Sequence, residues 1–279
     1  MTSHLGFVWP RSGRVECPDW DPTPKCGHGL HGLLRGEGNG NLVCWDSGAI
    51  WVAAWIDAGL AIDLTGKVKF PWAEVALVGS RLEVTAFLVA NGCSGAVVGS
   101  TLTGGYGSTL TGGYGSTLTG GYGSTLTGGD SSTLTGGYGS TLTGGDSSTL
   151  TGGDGSTLTG GDGSTLTGGD RSTLTGGYGS TLTGGYGSTL TGGDGSTLTG
   201  GGRSALTGGY RSTLTGGYGS TLTGGDGSTL TGGYETTLTF RYWARSRYRT
   251  ASFEVGGNGL KPDTAYRCDD KGNINEVAK

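Results

Sequence analysis

Ser100-Thr101-Leu102-Thr103-Gly104-Gly105-Tyr106-Gly107 opens a run of 17 contiguous octads that ends at Glu235, with the consensus Ser-Thr-Leu-Thr-Gly-Gly-(Tyr/Asp)-Gly. The register continues without insertion into Thr236-Thr237-Leu238-Thr239. A fixed period of this kind signals stacked repeats and outranks local propensity. The alternative for so polar a stretch is a disordered Gly/Ser linker, but a linker needs neither a register nor a Leu at every eighth position. Thr-Leu-Thr suits a pleated strand, and Gly-Gly-(Tyr/Asp)-Gly suits a tight corner that demands positive φ. Side chains alternate along a strand, so Ser100 and Leu102 share one side while Thr101 and Thr103 share the other. The Leu side faces inward, because the reverse would expose a continuous apolar stripe.

Eight residues are too few to close a coil around a core. Two octads give a 16-residue coil of two strands and two turns. The seventh position carries the same message. Alternate units place Tyr106, Tyr122, Tyr138, Asp154, Asp170, Tyr186, Gly202, Tyr218 and Tyr234 on one edge; the others place Tyr114, Asp130, Asp146, Asp162, Tyr178, Asp194, Tyr210 and Asp226 on the opposite edge. One edge is Tyr-rich and the other Asp-rich, which makes sixteen the structural repeat. The expected fold is mainly β: a flattened β-solenoid of 16-residue coils over 100–239, a small N-terminal α/β domain over 1–99 and a C-terminal β cap over 240–279. Two buried leucines cannot offset the ordering of sixteen residues, so each coil depends on its neighbours and stability is cooperative along the stack. Open ends would template aggregation unless capped, and residues 1–99 and 240–279 are placed to do that capping.

Composition narrows the function classes. Gly supplies 65 of 279 residues and the hydrophobic fraction is 33%, too low for a conventional single-core enzyme of this length. Six prolines and no Gly-X-Y period exclude collagen, and no run of eighteen apolar residues provides a transmembrane helix. Met1-Thr2-Ser3-His4-Leu5 has no basic stretch leading into an apolar one, so no cleaved secretory signal is expected; the cytoplasm, or the cell surface by a non-classical route, is the expected location. The net charge of −4 divides into −2 over 1–99, −5 over 100–235 and +3 over 236–279, a density that does not suit nucleic-acid binding. Five cysteines, an odd number, point to free thiols.

Stacked coils repeat at about 4.7–4.8 Å, and residues i and i+2 of one strand lie about 6.6–7 Å apart. Threonine hydroxyls and methyls would therefore form a two-dimensional grid on each face, on the order of 40 Å long. Both spacings are close to repeat distances of the ice lattice, and a rigid grid loses little ordering entropy on binding. Threonine is also simply a good exposed strand residue, but that explanation tolerates Val, Lys or Glu, and the one departure in seventeen units is Ala205. The candidate ice-binding positions are two per octad. The first of each pair is Thr101, Thr109, Thr117, Thr125, Thr133, Thr141, Thr149, Thr157, Thr165, Thr173, Thr181, Thr189, Thr197, Thr213, Thr221 and Thr229. The second is Thr103, Thr111, Thr119, Thr127, Thr135, Thr143, Thr151, Thr159, Thr167, Thr175, Thr183, Thr191, Thr199, Thr215, Thr223 and Thr231. A repeat scaffold or surface adhesin displaying the N-terminal domain is the alternative, and an enzyme confined to residues 1–99 a third reading.

Gly105-Tyr106-Gly107-Ser108-Thr109-Leu110-Thr111 resembles the octapeptide of bacterial ice nucleation proteins, whose higher-order unit is also sixteen residues. The resemblance covers about residues 100–239. It implies Thr-x-Thr ladders that order water into an ice embryo, with ice or ordered water and further copies of the chain as partners and no cofactor. It also implies a self-associating Tyr edge, here Tyr106, Tyr122, Tyr138, Tyr186, Tyr218 and Tyr234. The family's Arg-rich terminal coils, which promote assembly, are echoed by Arg203, Arg211, Arg241, Arg245, Arg247 and Arg249. Three features depart from the family: Thr-Gly-Gly replaces Thr-Ala-Gly, the array is much shorter, and the flanking domains differ. Calcium-binding nonapeptide solenoids are a poor match, since Thr157 stands where their second Asp belongs after Gly152-Gly153-Asp154-Gly155.

At the N-terminal end, Gly6-Phe7-Val8-Trp9-Pro10, Cys17-Pro18-Asp19-Trp20-Asp21-Pro22 and Cys26-Gly27-His28-Gly29-Leu30-His31-Gly32 resemble bacterial and phage repeat proteins without an assigned activity. Ala49–Ala54 and Val75–Val78 read as strands and 81–91 as a helix ending near Gly92. Cys17, Cys26, His28, His31 and Cys44 are candidate zinc ligands, although no paired C-x₂-C knuckle is present. A Cys/His nucleophile pair assisted by Asp19 or Asp21 is the other chemical option. In the tail, 240–243, 248–255 and 265–268 read as strands, with turns at 256–259 and 271–273 and aromatic residues continuing the solenoid. Arginines interleaved with aromatics suit RNA, but the acidic chain favours a capping or self-association patch.

Overall fold

A computed structural model describes residues 7–257 and 259–277. It separates into two compact units, one comprising residues 1–102 with 111–118 and the other residues 103–110 with 119–279. Met1–Gly6, including the stretch read for a leader, lies outside the described residues, as does Asn258 of the expected 256–259 turn.

The first unit holds β1 (Gly13–Glu16), β2 (Leu30–Gly32), β3 (Trp51–Trp55), β4 (Ile62–Asp63), β5 (Val68–Phe70), β6 (Trp72–Gly79) and α1 (Arg81–Ala90), the one α-helix among the described residues. The strands form two antiparallel sheets, β1-β6-β3 and β2-β5-β4. In β6 the alternation Trp-Ala-Glu-Val sends Ala73 and Val75 inward, where Val15, Leu30, Val68 and Phe70 meet them. The helix starts where Ser80 and Glu83 close a capping box, with Ser80 N donating to Glu83 Oε2 at 2.8 Å and Glu83 N donating to Ser80 Oγ at 3.3 Å. Reciprocal satisfaction of two orphan N–H groups is worth about 1 kcal/mol. Residues 111–118 of the repeat belong with this unit: Gly113 N donates to Val97 O at 2.9 Å, Gly99 N to Tyr114 O at 2.8 Å, and the Tyr114 ring lies 5.3 Å from that of Trp45.

Each octad contributes one strand, β7 to β23, from Thr101–Thr103 to Thr229–Gly232. Within the second unit successive octads alternate between two parallel sheets, and every pairing joins residues sixteen apart. In one sheet Thr125, Thr141, Thr157, Thr173, Thr189 and Ala205 are in register. In the other the row is Thr133, Thr149, Thr165, Thr181, Thr197, Thr213 and Thr229. With the strand at Thr237 the stack makes about nine turns. The Leu column is the core: Leu118 and each eighth residue onward to Leu238 are at most 1% exposed. The serines share that interior, and many hydroxyls donate to the corner carbonyl three residues back, as Ser132 does to Gly129 O at 2.6 Å.

The corner glycines divide their work in a way the sequence reading did not separate. Positive φ falls on the eighth position alone, at +66° for Gly155. Six octads place Ser131, Ser147, Arg171, Arg203, Arg211 and Glu235 there at φ of 52–58°. The two preceding glycines instead provide space. A Cβ on Gly152 would stand 2.4 Å from Ser156 Oγ, and one on Gly153 2.8 Å from the backbone N of Tyr138 in the coil below.

The tail departs from simple continuation. β24 (Thr237–Ala244) adds in parallel to the strand at Thr221–Gly224, but β25 (Arg247–Glu254) then folds back antiparallel upon it. Arg245 and Ser246, at φ of 49° and 63°, make the reversal without the Asn-Gly that usually marks such a turn. On the other sheet β26 (Thr264–Cys268) lies antiparallel on the strand at Thr229–Gly232, followed by β27 (Ile274–Glu276). The 271–273 turn is held by Asp269, whose Oδ1 accepts from Lys271 N at 2.9 Å and Asn273 N at 2.8 Å.

Candidate functional site

The local rule that builds the site is alternation. With Leu fixed inward by burial, its two neighbours in each octad point to solvent, and the in-register stacking of coils repeats them at the strand spacing. The second threonine of each pair repeats as faithfully as the first. Thr135, Thr151, Thr167, Thr183, Thr199 and Thr215 are in register on one sheet. Thr127, Thr143, Thr159, Thr175, Thr191 and Thr207 are in register on the other. All of these are exposed, as is Thr119, and so are the first threonines from Thr117 to Thr221. Thr207, absent from the expected positions, stands alone in its row because Ala205 replaces its partner. One sheet therefore carries an unbroken Thr-x-Thr series and the other a series with one gap.

The grid changes character at its ends. Thr111, Thr223, Thr229 and Thr231 are half-buried. Thr229 Oγ1 accepts from Arg267 Nε at 2.7 Å, so its hydroxyl is engaged by the C-terminal strand β26 rather than presented to solvent. Thr237 and Thr239 extend the interrupted sheet by one row, with Thr239 Oγ1 3.0 Å from Ser252 Oγ.

The edges follow the seventh position. Tyr106, Tyr122 and Tyr138 stack in turn, with centroids 5.2 and 5.1 Å apart and planes within 12°. The column then changes. Tyr186 lies under the Arg203 guanidinium at 5.9 Å, and the Tyr218 hydroxyl donates to Glu235, whose carboxylate pushes the phenol pKa up. Tyr234 is exposed. The expected Tyr column is thus a stack over its first three rungs, with a cation–π contact at Tyr186 and a phenol–carboxylate hydrogen bond at Tyr218 beyond.

Sequence reasoning missed a second ladder. Six edge aspartates accept the backbone N–H of the same position one coil on: Asp146 N donates to Asp130 Oδ1 at 3.0 Å, Asp162 N to Asp146 Oδ1 at 2.8 Å and Tyr178 N to Asp162 Oδ1 at 2.7 Å. Asp154, Asp170 and Asp194 act likewise. The signal was present in the 16-residue spacing of the aspartates, but only the stacking direction turns it into a hydrogen bond.

Of the cap arginines, Arg241 lies 5.5 Å over the Tyr248 ring, which meets Trp243 edge-on at 4.9 Å; Arg245 is in the reversal, and Arg247 and Arg249 are on β25. Arg249 Nε is enclosed without a hydrogen-bond partner.

The five zinc candidates do not converge. Among the described residues no three His, Cys, Asp or Glu side chains gather as a metal-binding group. Cys17 Sγ donates to Asp19 Oδ1 at 2.9 Å and His28 Nδ1 lies 3.0 Å from Asp19 Oδ2, so a carboxylate stands between the thiol and the imidazole of the proposed nucleophile pair. Burial, and then the Asp19 carboxylate, raise the Cys17 pKa, the opposite of an activated thiol. Cys26 faces Lys67 Nζ at 3.2 Å, which lowers its pKa, and Cys44 points to Asp46 Oδ2 at 3.4 Å. Asp21 is occupied by Thr23, through its N–H and hydroxyl, both at 2.9 Å.

Sequence comparison finds relatives among ice nucleation proteins. Over 91 residues the chain is 42% identical to an ice nucleation protein of Pantoea ananas, covering 32% of this chain and 9% of that protein. Over 93 residues it is 53% identical to an ice nucleation protein of Xanthomonas campestris pv. translucens, 33% of this chain and 6% of the relative. Over 106 residues it is 37% identical to the ice nucleation protein of Pseudomonas syringae pv. syringae, 37% of this chain and 9% of the relative. The matches span less than a tenth of the length of these curated relatives. No family model matches, and no solved structure does. In sequence over about a third of its length, this chain is similar to bacterial ice nucleation proteins.

Proposed function

We propose that the solenoid binds ice and templates its formation through its Thr-x-Thr rows, acting as an oligomer. The observation that carries this reading is the register: Thr133, Thr149, Thr165, Thr181, Thr197 and Thr213 repeat coil upon coil, exposed, with no charged residue intruding. Hydroxyls on such a lattice hold waters at fixed separations, and the γ-methyls between them disfavour competing water arrangements. Backbone hydrogen bonds on both sides of each strand hold the rows before ice arrives, so little entropy is lost on contact. No reacting group is required, and the relatives are named for ice nucleation rather than for catalysis.

A face on the order of 40 Å long stabilises only a small embryo, so activity at warm temperatures requires several chains side by side. The Tyr106–Tyr122–Tyr138 stack and the cluster of Arg241, Tyr248 and Trp243 supply exposed aromatic surface for that association. Droplet-freezing curves recorded over a thousandfold range of protein concentration test the reading. The freezing temperature should rise with concentration above that of buffer and fall back when Thr133, Thr149, Thr165 and Thr181 are replaced by Lys. Freezing at the buffer temperature at every concentration would refute templating.

A further inference from the structure

The C-terminal cap closes the parallel stack but itself ends in a free strand edge. β25 is the outermost strand of the ten-stranded sheet and pairs on one side only, with β24. The ladder fixes which backbone groups are free. The two-residue reversal at Arg245 and Ser246 makes Ala244 and Arg247 a hydrogen-bonded pair, and beyond the other end Val255 N donates to Thr236 O at 2.9 Å. Odd-numbered residues of β25 therefore bond to β24, while Tyr248, Thr250, Ser252 and Glu254 turn their N–H and C=O outward. Among the described residues, no turn or loop hydrogen bond engages those outward groups. Their side chains are exposed and share the solvent face of the threonine rows, with Glu254 opposite Thr237 and Ser252 opposite Thr239. No proline, lysine or bulge guards the edge, which are the usual defences against pairing. The inward-pointing charge, Arg249, has its Nε enclosed within its own chain and leaves the outward row clear.

We propose that β25 pairs antiparallel with β25 of a second copy of this chain, about a two-fold axis at Ala251. The inference rests on the oligomeric reading above and specifies its interface. Centred on Ala251, the four outward residues pair only with one another: Tyr248 with Glu254 of the second copy, and Thr250 with Ser252 of the second copy. About eight backbone hydrogen bonds form across the joint. The charges fit this sense of pairing. The Arg245–Arg247 tips lie at opposite ends of the joint, and each Glu254 arrives beside the other chain's Tyr248, over whose ring Arg241 lies at 5.5 Å. A two-fold axis perpendicular to the sheet keeps both solvent faces on the same side, so the threonine rows of two chains share one sheet. Because Ser252 meets Thr250, the columns of the two chains differ by whole i, i+2 steps, and the grid continues in phase. The contact is isologous and closes on itself, so this edge gives a dimer rather than a fibre.

Size-exclusion chromatography with light scattering, over a hundredfold range of concentration of the full chain, tests the pairing. The expected mass is twice that of one chain, falling towards one chain on dilution. Thr250→Pro should raise the dissociation constant about a hundredfold, since each chain loses an N–H that bonds its copy and leaves the opposing carbonyl unpaired. That N–H points away from β24, so the substitution breaks no backbone bond within the chain, and circular dichroism should be unchanged. Ala251→Cys gives an independent reading. Its own counterpart stands directly opposite in a non-hydrogen-bonded pair, so oxidation should link 251 to 251, identified by peptide mass spectrometry against the five native cysteines. If Thr250→Pro loses its fold, the 251–251 link decides. A monomer at every concentration, a dimer that a folded Thr250→Pro leaves intact, or the absence of the 251–251 peptide overturns the proposal. None of these readouts involves ice: a dimer that neither enters nor nucleates ice refutes the ice reading alone, and a monomer enriched in ice refutes this interface alone.

Discussion

Leu158→Ala separates the inside of the solenoid from its outside. Leu158 is fully enclosed, stacked in register between Leu142 and Leu174. Backbone hydrogen bonds brace its coil against the coils on either side, Thr157 N to Ser140 O and Gly160 N to Thr175 O, both at 2.9 Å. With the coil spacing fixed by those bonds, the walls cannot close on the space left by the removed atoms. The loss therefore belongs in the upper part of the range for buried Leu truncations, about 3–5 kcal/mol. Thr157→Ala, one residue away but on the exposed side, should change stability by less than about 0.5 kcal/mol. Urea titration followed by far-UV circular dichroism reads the difference. With m on the order of 2–3 kcal/mol/M, the Leu variant should shift its midpoint down by about 1–2 M with m unchanged. A Leu158→Ala loss below about 1 kcal/mol, or one matched by Thr157→Ala, would refute the inside/outside assignment on which the threonine grid depends.

Other consequences follow from the corners, the edges and the thiols. Gly152→Ala should cost about 1–3 kcal/mol because its Cβ would stand 2.4 Å from Ser156 Oγ; pairing it with Ser156→Gly should recover part of that loss in a double-mutant cycle. Gly139, at φ +64°, should accept Ser at a cost below about 1 kcal/mol, as Ser131 and Ser147 do in equivalent positions, whereas Val should cost about 1–2 kcal/mol, both read by urea titration. Asp146→Ala should cost about 1 kcal/mol by removing the acceptor for Asp162 N, and Asp146→Asn, which keeps an acceptor and relieves repulsion in the column, should be within about 0.5 kcal/mol of the unmodified chain. Iodoacetamide labelling followed by mass spectrometry should find Cys26 fastest and Cys268 slowest, since Lys67 lowers the Cys26 pKa and burial pushes that of Cys268 to about 11. Lys67→Met should slow Cys26, and Asp19→Asn should speed Cys17 by removing the carboxylate that raises its pKa.

The solenoid was legible because its determinants are periodic. Leu at every eighth position and the Tyr/Asp alternation at sixteen together define strand, inward side and coil, and the observed register joins residues sixteen apart throughout. The helix was legible as 81–91 ending near Gly92, while the capping box of Ser80 and Glu83 that starts it emerged only with the structure. What escaped depends on neighbours remote in sequence. Three glycines per corner look alike until the coil below and the Ser four residues on are in place; then one supplies positive φ and two supply clearance. The reversal between β24 and β25 was hidden because Arg245 and Ser246 occupy positions where Gly or Asn would have announced it. The Cys and His residues of the N-terminal unit were read as one ligand set from composition alone, whereas their partners, Asp19, Lys67 and Asp46, are set by the folding of loops that carry no period. Engagement of Thr229 by Arg267, 38 residues away, is of the same kind.

The central claim is that the threonine rows are a ligand for ice, and partition into slowly growing ice tests it most directly. The purified chain would be compared with two variants: one with Thr133, Thr149, Thr165 and Thr181 changed to Lys, the other with the same change at Thr125, Thr141, Thr157 and Thr173. Far-UV circular dichroism would establish that each variant keeps its fold. The expected result is enrichment of the unmodified chain in the ice fraction and loss of that enrichment when the unbroken face carries lysines. Exclusion of the unmodified chain from ice, to the same degree as both variants, would contradict the claim and leave the solenoid a scaffold.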